Sequence, residues 1–332
     1  MDDPEHRIGQ FLRGAGLAQA GEDLRCTPLT GGVSSDIWRV EIGQAGRTIC
    51  VKRALPRLRV EAEWHAPLSR NAYEWAWLAF ASRALPRSCP QPLAHDAERG
   101  MLAMAYLPPE DYSVWKSLLM RGEVDPHTAR AVGERLGHLH AASTLDPALP
   151  ERFHSDDNFY ALRLEPYLLA TARVHPDLAS RLGALAERTA QTRLALVHGD
   201  VSPKNILVGA GGPVFLDAEC AWFGDPAFDL AFCLTHLLLK LRHLPASQRA
   251  LEQSFSALHT AYLSEVTWEA PSDLEERAAA LLPALLLARV DGKSPVEYLN
   301  GEQRAGVRHS TAALIRHPAS TLPAVMQRWQ TG

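Results

Sequence analysis

Residues 196–230, LVHGDVSPKNILVGAGGPVFLDAECAWFGDPAFDL, constrain this chain more than any other stretch. Two apolar, partly β-branched runs, Asn205-Ile206-Leu207-Val208 and Pro213-Val214-Phe215-Leu216, flank Gly209-Ala210-Gly211-Gly212. That is the pattern of a β-hairpin closed by a glycine turn. His198-Gly199-Asp200 precedes the hairpin, Asn205 enters it and Asp217 leaves it. Groups able to take a proton or hold a cation are thus brought together by very little chain. Asp, Asn and Gly also populate ordinary surface turns. Here five features coincide: His-Gly-Asp, the Asn, a strand, a glycine turn and a closing Asp. Such a coincidence predicts a chemical site.

The spacing Asp200-x-x-x-x-Asn205 is that of a kinase catalytic loop. There the Asp accepts the proton of the substrate hydroxyl and the Asn holds Mg2+. Asp217, after the returning strand, falls where a second magnesium-holding carboxylate belongs. The region upstream fits the same chemistry. An amphipathic helix is expected over residues 8–17, then strands over 24–29, 36–42 and 47–53. Between the first two strands lies Thr30-Gly31-Gly32-Val33-Ser34-Ser35-Asp36. Such a loop can lay backbone N–H groups over phosphates, because glycine lets the chain approach closely. Gly31, Gly32, Ser34 and Ser35 are the candidates. The loop is not G-x-G-x-x-G, and a plain hairpin loop is its simpler reading.

Lys52 ends the third strand, one hairpin after that loop, where a kinase needs a lysine for the α- and β-phosphates of ATP. A helix is expected over 68–81, with Trp75, Leu78 and Ala79 on its apolar stripe. Glu74 on this helix is the chosen carboxylate for orienting Lys52, with Glu61 and Glu63 as competitors. Two further strands are expected over 90–95 and 101–106. Leu107-Pro108-Pro109-Glu110 then breaks the pattern as a hinge. Backbone groups of Ala105 and Leu107 there are the candidates for an adenine edge.

Past the hinge the chain reads as helical over 113–120, 128–143, 159–173 and 177–193, and again after the hairpin over 228–242, 247–266, 272–289, 302–316 and 321–329. Asp225-Pro226 reads as an N-cap with Pro at the first helical position. Asp229 is placed either to cap a backbone amide or to brace the catalytic loop. His138 and His140 point about 200° apart on a helix, which is poor for joint metal ligation, so His140 reads as a core histidine. Asp291-Gly292-Lys293-Ser294 resembles the end of a P-loop, but position 287 is Leu and the phosphate-cradling loop is missing. Arg289, Asp291 and Lys293 read as a cap or as part of a substrate pocket.

Composition narrows the partners. With 332 residues, 46% hydrophobic and 22% charged, the chain can bury a real core as one large or two ordinary domains. A formal charge of −4 gives no reason to expect nucleic acid or an anionic membrane. The five scattered cysteines form no Cys-x-x-Cys pair, which suits a reducing compartment. The charged N-terminus lacks the apolar core of a signal peptide, and the apolar run over 281–290 is too short to span a bilayer. A cytoplasmic protein without an obligate protein partner is expected.

In order and in motif, the chain resembles the aminoglycoside phosphotransferase family, whose relatives include choline, homoserine, fructosamine and methylthioribose kinases. The Gly/Ser loop, Lys52, His198-Gly199-Asp200-x-x-x-x-Asn205, Asp217 and the segment Gly224-Asp225-Pro226 to Asp229-Leu230-Ala231 carry the likeness. It extends over about residues 29–233; beyond that the chain matches only in being helical. The resemblance implies an α+β, protein-kinase-like fold. A small β-rich lobe (residues 1–107) would bind nucleotide, a large helical lobe (108–332) would carry catalysis and substrate, and ATP would lie between them. Gly199 stands where protein kinases carry Arg, Asp217-Ala218-Glu219 replaces Asp-Phe-Gly, and no Ala-Pro-Glu follows. The acceptor is therefore expected to be the hydroxyl of a small molecule.

In that reading Asp200 is the base, Asn205 and Asp217 hold Mg2+, and Lys52, braced by Glu74, positions ATP. His198 shapes the loop, and Glu219 assists the metal or faces the substrate. Trp222 and Phe223, with Trp115, offer an aromatic wall for a cationic amine. Two other classes compete. A pseudokinase is disfavoured because Lys52, Asp200, Asn205 and Asp217 are all present. A metal-dependent phosphohydrolase built on His198 and Asp200 would need further ligands, for which His236 and His243 are too far apart.

Overall fold

The computed structural model describes residues 4–29, 35–44, 46–55 and 69–331. The chain divides into two compact units, Met1–Asp111 and Tyr112–Gly332. The first holds helix α1 (Pro4–Gly14), strands β1 (Leu24–Leu29), β2 (Ser35–Ile42) and β3 (Arg47–Ala54), helix α2 (Arg70–Ala84), and strands β4 (Pro92–Asp96) and β5 (Met101–Ala105). The strands form one antiparallel sheet in the order β1-β2-β3-β5-β4. Trp38, Val40 and Ile42 alternate along β2 onto one face, as a two-residue period requires, and α1 packs Ile8, Phe11 and Leu12 into the same core.

Helix α2 departs from the expected stripe. Its buried face runs Glu74, Trp77, Leu78, Ala81, one turn after another, so a carboxylate sits in the apolar row. Trp75 is turned aside to stack on His95 at 5.4 Å.

The second unit opens with β6 (Tyr112–Val114) and α3 (Trp115–Met120). The sequence predicts helix from residue 113 onward. Tyr112-Ser113-Val114 instead pairs antiparallel with Gly209, Val208 and Leu207, satisfying an edge that the hairpin would leave open. Then come α4 (Pro126–Ser143), α5 (Leu149–Arg152) and α6 (Asp156–Phe159). The predicted helix over 159–173 is broken in character: Tyr160–Leu169 is a π-helix with Pro166 inside it, followed by α7 (Ala170–Val174). Proline has no N–H to give to the α-helical ladder, which is one cause of such a local change.

Next follow α8 (Ala179–Gln191), β7 (Ala195–Val197), a 3₁₀ turn (Pro203–Asn205), and the hairpin β8 (Ile206–Gly209) and β9 (Gly212–Phe215). Strand β10 (Trp222–Gly224) returns to pair with β7. The chain ends in α9 (Ala227–His243), α10 (Gln248–Ser264), α11 (Pro271–Asp291), α12 (Gly301–Arg316) and α13 (Leu322–Thr331). Helix α9 is buried from Ala227 to Lys240 and forms the spine of this unit. It starts at Ala227, one residue before the expected range, with Pro226 rather than Asp225 at the N-cap position. Asp225 still caps it, accepting the Ala227 N–H at 3.1 Å, while pairing with Arg277. Among the described residues no helix is long and apolar enough to cross a membrane.

Candidate active site

The loop between β7 and β8 is fixed by a single carboxylate. Asp229, in the first turn of α9, accepts the backbone N–H of His198 at 2.7 Å and that of Gly199 at 2.8 Å. It is fully buried, and His140 Nε2 lies 3.2 Å from it, with the other ring nitrogen 2.7 Å from the Tyr262 hydroxyl. His140 is thus the packed core histidine that the sequence suggested, and Asp229 is a loop brace. Gly199 has φ +78°, and a Cβ there would stand 2.7 Å from the Cys220 carbonyl oxygen. Only glycine satisfies both conditions.

His198 is buried, which holds its imidazole below the ordinary value and therefore neutral. Its Nε2 lies 3.1 Å from the Leu216 carbonyl and must carry the hydrogen, which leaves Nδ1 to accept the Asp200 N–H at 3.1 Å. The histidine ties the loop to the returning strand. The carboxylate of Asp200 is then met by two cations: Arg163 Nη2 at 3.0 Å and Lys204 Nζ at 3.3 Å. The Asp200 charge, with that of Asp217, holds the Lys204 amine above its usual range. Asn205 donates its amide N–H to the Asp200 carbonyl at 3.2 Å, which turns its Oδ1 the other way. Asp217 follows β9 in the left-handed region, φ +67°. A non-glycine residue pays roughly 1–3 kcal/mol for that conformation, which commonly marks functional positions.

In the first unit, Lys52 Nζ and Glu74 Oε1 lie 2.8 Å apart and are 3% and 2% exposed. The carboxylate on the apolar face of α2 is therefore the lysine's partner; Glu61 and Glu63 lie outside the described residues, as do Gly31, Gly32 and Ser34. Ser35 opens β2 opposite Ala54 and is buried. Ala105 gives its N–H to the Gln91 carbonyl at 2.8 Å, so that N–H is already committed within the fold. Leu107 lies in irregular backbone just after β5.

On the substrate side, Trp222, Trp115 and Asp291 are structural rather than part of an open wall or pocket. Trp222 is 1% exposed, stacks on Phe159 at 4.3 Å and donates its indole N–H to Asp156. It is a core residue, because β10 turns it inward from its pairing with β7. Trp115 is equally buried. Asp291 is taken by His175 at 2.7 Å and Arg308 at 2.7 Å, as a structural tie. Arg289 bonds the Ser294 carbonyl and hydroxyl and the Tyr167 hydroxyl, holding the turn after α11. Glu219 is buried, its carbonyl accepting the Asn158 amide at 2.8 Å.

Arg163 is a site residue that no motif in the sequence marks. It lies on the π-helix, bonds the Gly199 and Leu162 carbonyls, and packs over Tyr167 and Phe232 at 5.7 Å each. One signal was available: an arginine inside the apolar run Ala161-Leu162-Arg163-Leu164 must be buried with a partner. His236 packs on Phe232 and His243 on Tyr298. Among the described residues no group of three or more His, Cys, Asp or Glu side chains is placed to hold a metal ion.

Residues 25–262 match the phosphotransferase enzyme family, APH. A methylthioribose kinase of Pectobacterium atrosepticum is 28% identical over 278 residues, covering 70% of this chain and 68% of that protein. Another, of Yersinia pseudotuberculosis serotype O:1b, is 27% identical over 225 residues; the match covers 59% of this chain and 54% of that protein, little more than half its length. Among solved structures, an amicoumacin kinase in complex with AMP-PNP, Ca2+ and Ami aligns with TM-score 0.59 at 13% identity, over 97% of this chain and 96% of that one. A choline/ethanolamine kinase family protein from Mesorhizobium loti aligns with TM-score 0.58 at 15% identity over 99% of both. The fold is protein-kinase-like, with a small antiparallel sheet in one unit and a mainly helical second unit. This chain belongs to the phosphotransferase enzyme family and is a small-molecule phosphotransferase.

Proposed function

We propose that the protein transfers the γ-phosphoryl group of ATP to a hydroxyl of a small amino sugar, amino alcohol or sugar-like molecule. The observation that carries this reading is Asp200 itself: a nearly buried carboxylate on a loop whose backbone is pinned by Asp229 and His198. Phosphoryl transfer asks the protein mainly for positioning and charge. Asp200 orients the acceptor hydroxyl and takes its proton, while Arg163 and Lys204 hold the carboxylate in place. Asn205 Oδ1 and the Asp217 carboxylate are hard oxygen donors, few in number, as suits Mg2+ bound jointly with phosphate oxygens. When bound, that ion neutralises charge on the β- and γ-phosphates. Lys52, held by Glu74, meets the α- and β-phosphates, with residues 31, 32, 34 and 35 as the phosphate loop and the Ala105 carbonyl and Leu107 toward adenine. The names of the methylthioribose kinase relatives support a sugar-like acceptor.

The test is ATP consumption with Mg2+ across aminoglycosides, choline, homoserine, methylthioribose, fructosamines and simple sugars. Asp200→Asn is expected to lower acceptor-dependent turnover by about 10²–10⁴-fold while nucleotide affinity stays within a few fold. A variant near the wild-type rate removes Asp200 as the base. Failure of the wild type to bind Mg-ATP removes the kinase reading.

A further inference from the structure

One face of α9 gathers positive charge that no carboxylate among the described residues neutralises. Phe232, His236 and Lys240 recur every four residues on that face. Phe232 leads to the catalytic loop, since Arg163, the partner of Asp200, packs over its ring at 5.7 Å. His236 packs edge-on against Phe232 at 5.4 Å, and the Lys240 ammonium lies 5.2 Å from the centre of the Tyr298 ring. Arg289 enters from α11, its guanidinium 5.9 Å from the Tyr167 ring that itself packs on Phe232 at 5.5 Å. The charges of Arg289, Lys240, Lys204 and Lys116 all act on His236, which burial first and then these cations hold well below the ordinary imidazole range.

The carboxylates nearby are committed. Glu297 pairs with Lys116 at 2.5 Å, Asp200 with Arg163 and Lys204, and Glu165 with Lys293 and Arg173. Lys240, 1% exposed, and Arg289 have no carboxylate within ion-pair distance among the described residues. Four polar atoms here are sealed from solvent and lack a hydrogen-bond partner among the described residues: His236 Nε2, His243 Nδ1, Arg289 Nε and the Tyr298 hydroxyl. Buried cations and orphaned donors each cost stability, so a fold that collects them is balanced by something that brings negative charge and acceptors. Lys204, half exposed, and Lys116, one-third exposed, carry the cluster to solvent.

We propose that His236, Lys240, Arg289 and Tyr298 form an acceptor subsite for an anionic group, so that the phosphoryl acceptor is a small hydroxylated carboxylate or phosphate ester. This rests on the kinase reading and narrows its acceptor; a cationic amine would be repelled by Lys240 and Arg289.

The experiment uses the 332-residue chain with Mg-ATP and matched compounds: ribose against ribonate and ribose 5-phosphate, glucose against gluconate, with choline and methylthioribose alongside. Binding is read by calorimetry and transfer by ATP consumption, in the wild type, Lys240→Met and His236→Gln. Arg316→Met is the control, since Arg316 pairs with Asp177 at the surface away from the cluster. An anionic member is expected to bind about tenfold or more tightly than its neutral partner. Lys240→Met and His236→Gln should each weaken it by about tenfold, with Arg316→Met within about twofold. A response to the carboxylates names a hydroxy acid, and one to ribose 5-phosphate a phosphate ester. Preference for the neutral or cationic compounds, anion binding indifferent to both variants, or no anion binding at millimolar concentration each overturns the subsite. None of those results touches the kinase reading, which fails separately if Asp200→Asn keeps phosphoryl transfer.

Discussion

For single residues, what decides the chemistry of Asp200 is its cation. Arg163 is 5% exposed and reaches the carboxylate at 3.0 Å, while Lys204 approaches at 3.3 Å from a half-exposed position where solvent screens it. A buried opposite charge orients a carboxylate far more firmly than a screened one does. Replacing Arg163 with Met therefore loosens Asp200, and acceptor-dependent kcat is expected to fall by about tenfold or more with little change in KM for ATP. Arg163→Lys, which keeps the charge but loses the fork onto the Gly199 carbonyl, should restore the rate in part. A kcat that is unchanged in Arg163→Met would assign the orienting charge to Lys204. Asp200, Asn205 and Asp217 are legible in the sequence because short spacing along a hairpin fixes where they fall. Arg163 is not, because it arrives from a separate helix and no spacing rule ties it to Asp200.

Among the elements, the parts that the sequence conceals are those decided by pairing with something distant. Tyr112-Ser113-Val114 has no strand partner nearby in sequence; its partner is β8, and the residues read as the start of a helix until that edge is known. Residues 159–173 carry helical periodicity, but the period does not distinguish an α-helix from the π-helix that Tyr160–Leu169 forms. By contrast β1, β2, β3 and the catalytic hairpin are plain, because alternation and glycine turns are local signals. Helix α9 shows how an element serves chemistry without touching it. Asp229 uses both carboxylate oxygens on consecutive loop amides, and an amide side chain offers only one acceptor. Asp229→Asn should loosen the loop, lowering kcat by about tenfold or more with little change in KM for ATP. Equal loss in kcat and in nucleotide affinity would mean that the substitution disturbs the whole unit instead.

For the molecule as a whole, the buried Lys240 on the same helix couples folding to pH. Burial, then the charges of Lys116 and Arg289, lower the Lys240 amine to about 7, whereas the unfolded chain keeps it near its usual 10.5. Between those values the unfolded state holds a proton that the folded state lacks, so stability rises with pH across the interval. Below pH 7 both states are protonated and the full penalty of the buried ammonium is present; above 10.5 it is gone. Lys240→Met keeps the length of the stem without the charge and should be more stable than the wild type at pH 7, by on the order of a few kcal/mol. That advantage should shrink steadily toward pH 10, measured as the difference in urea midpoints. His198 and His236, also held neutral by burial, make both proteins less stable below about pH 6.5, and the loss largely cancels in the difference. A gap between variant and wild type that does not change from pH 7 to pH 10 would mean that Lys240 titrates as in water. Its neighbours would then be too far away to make it the centre of a cationic site.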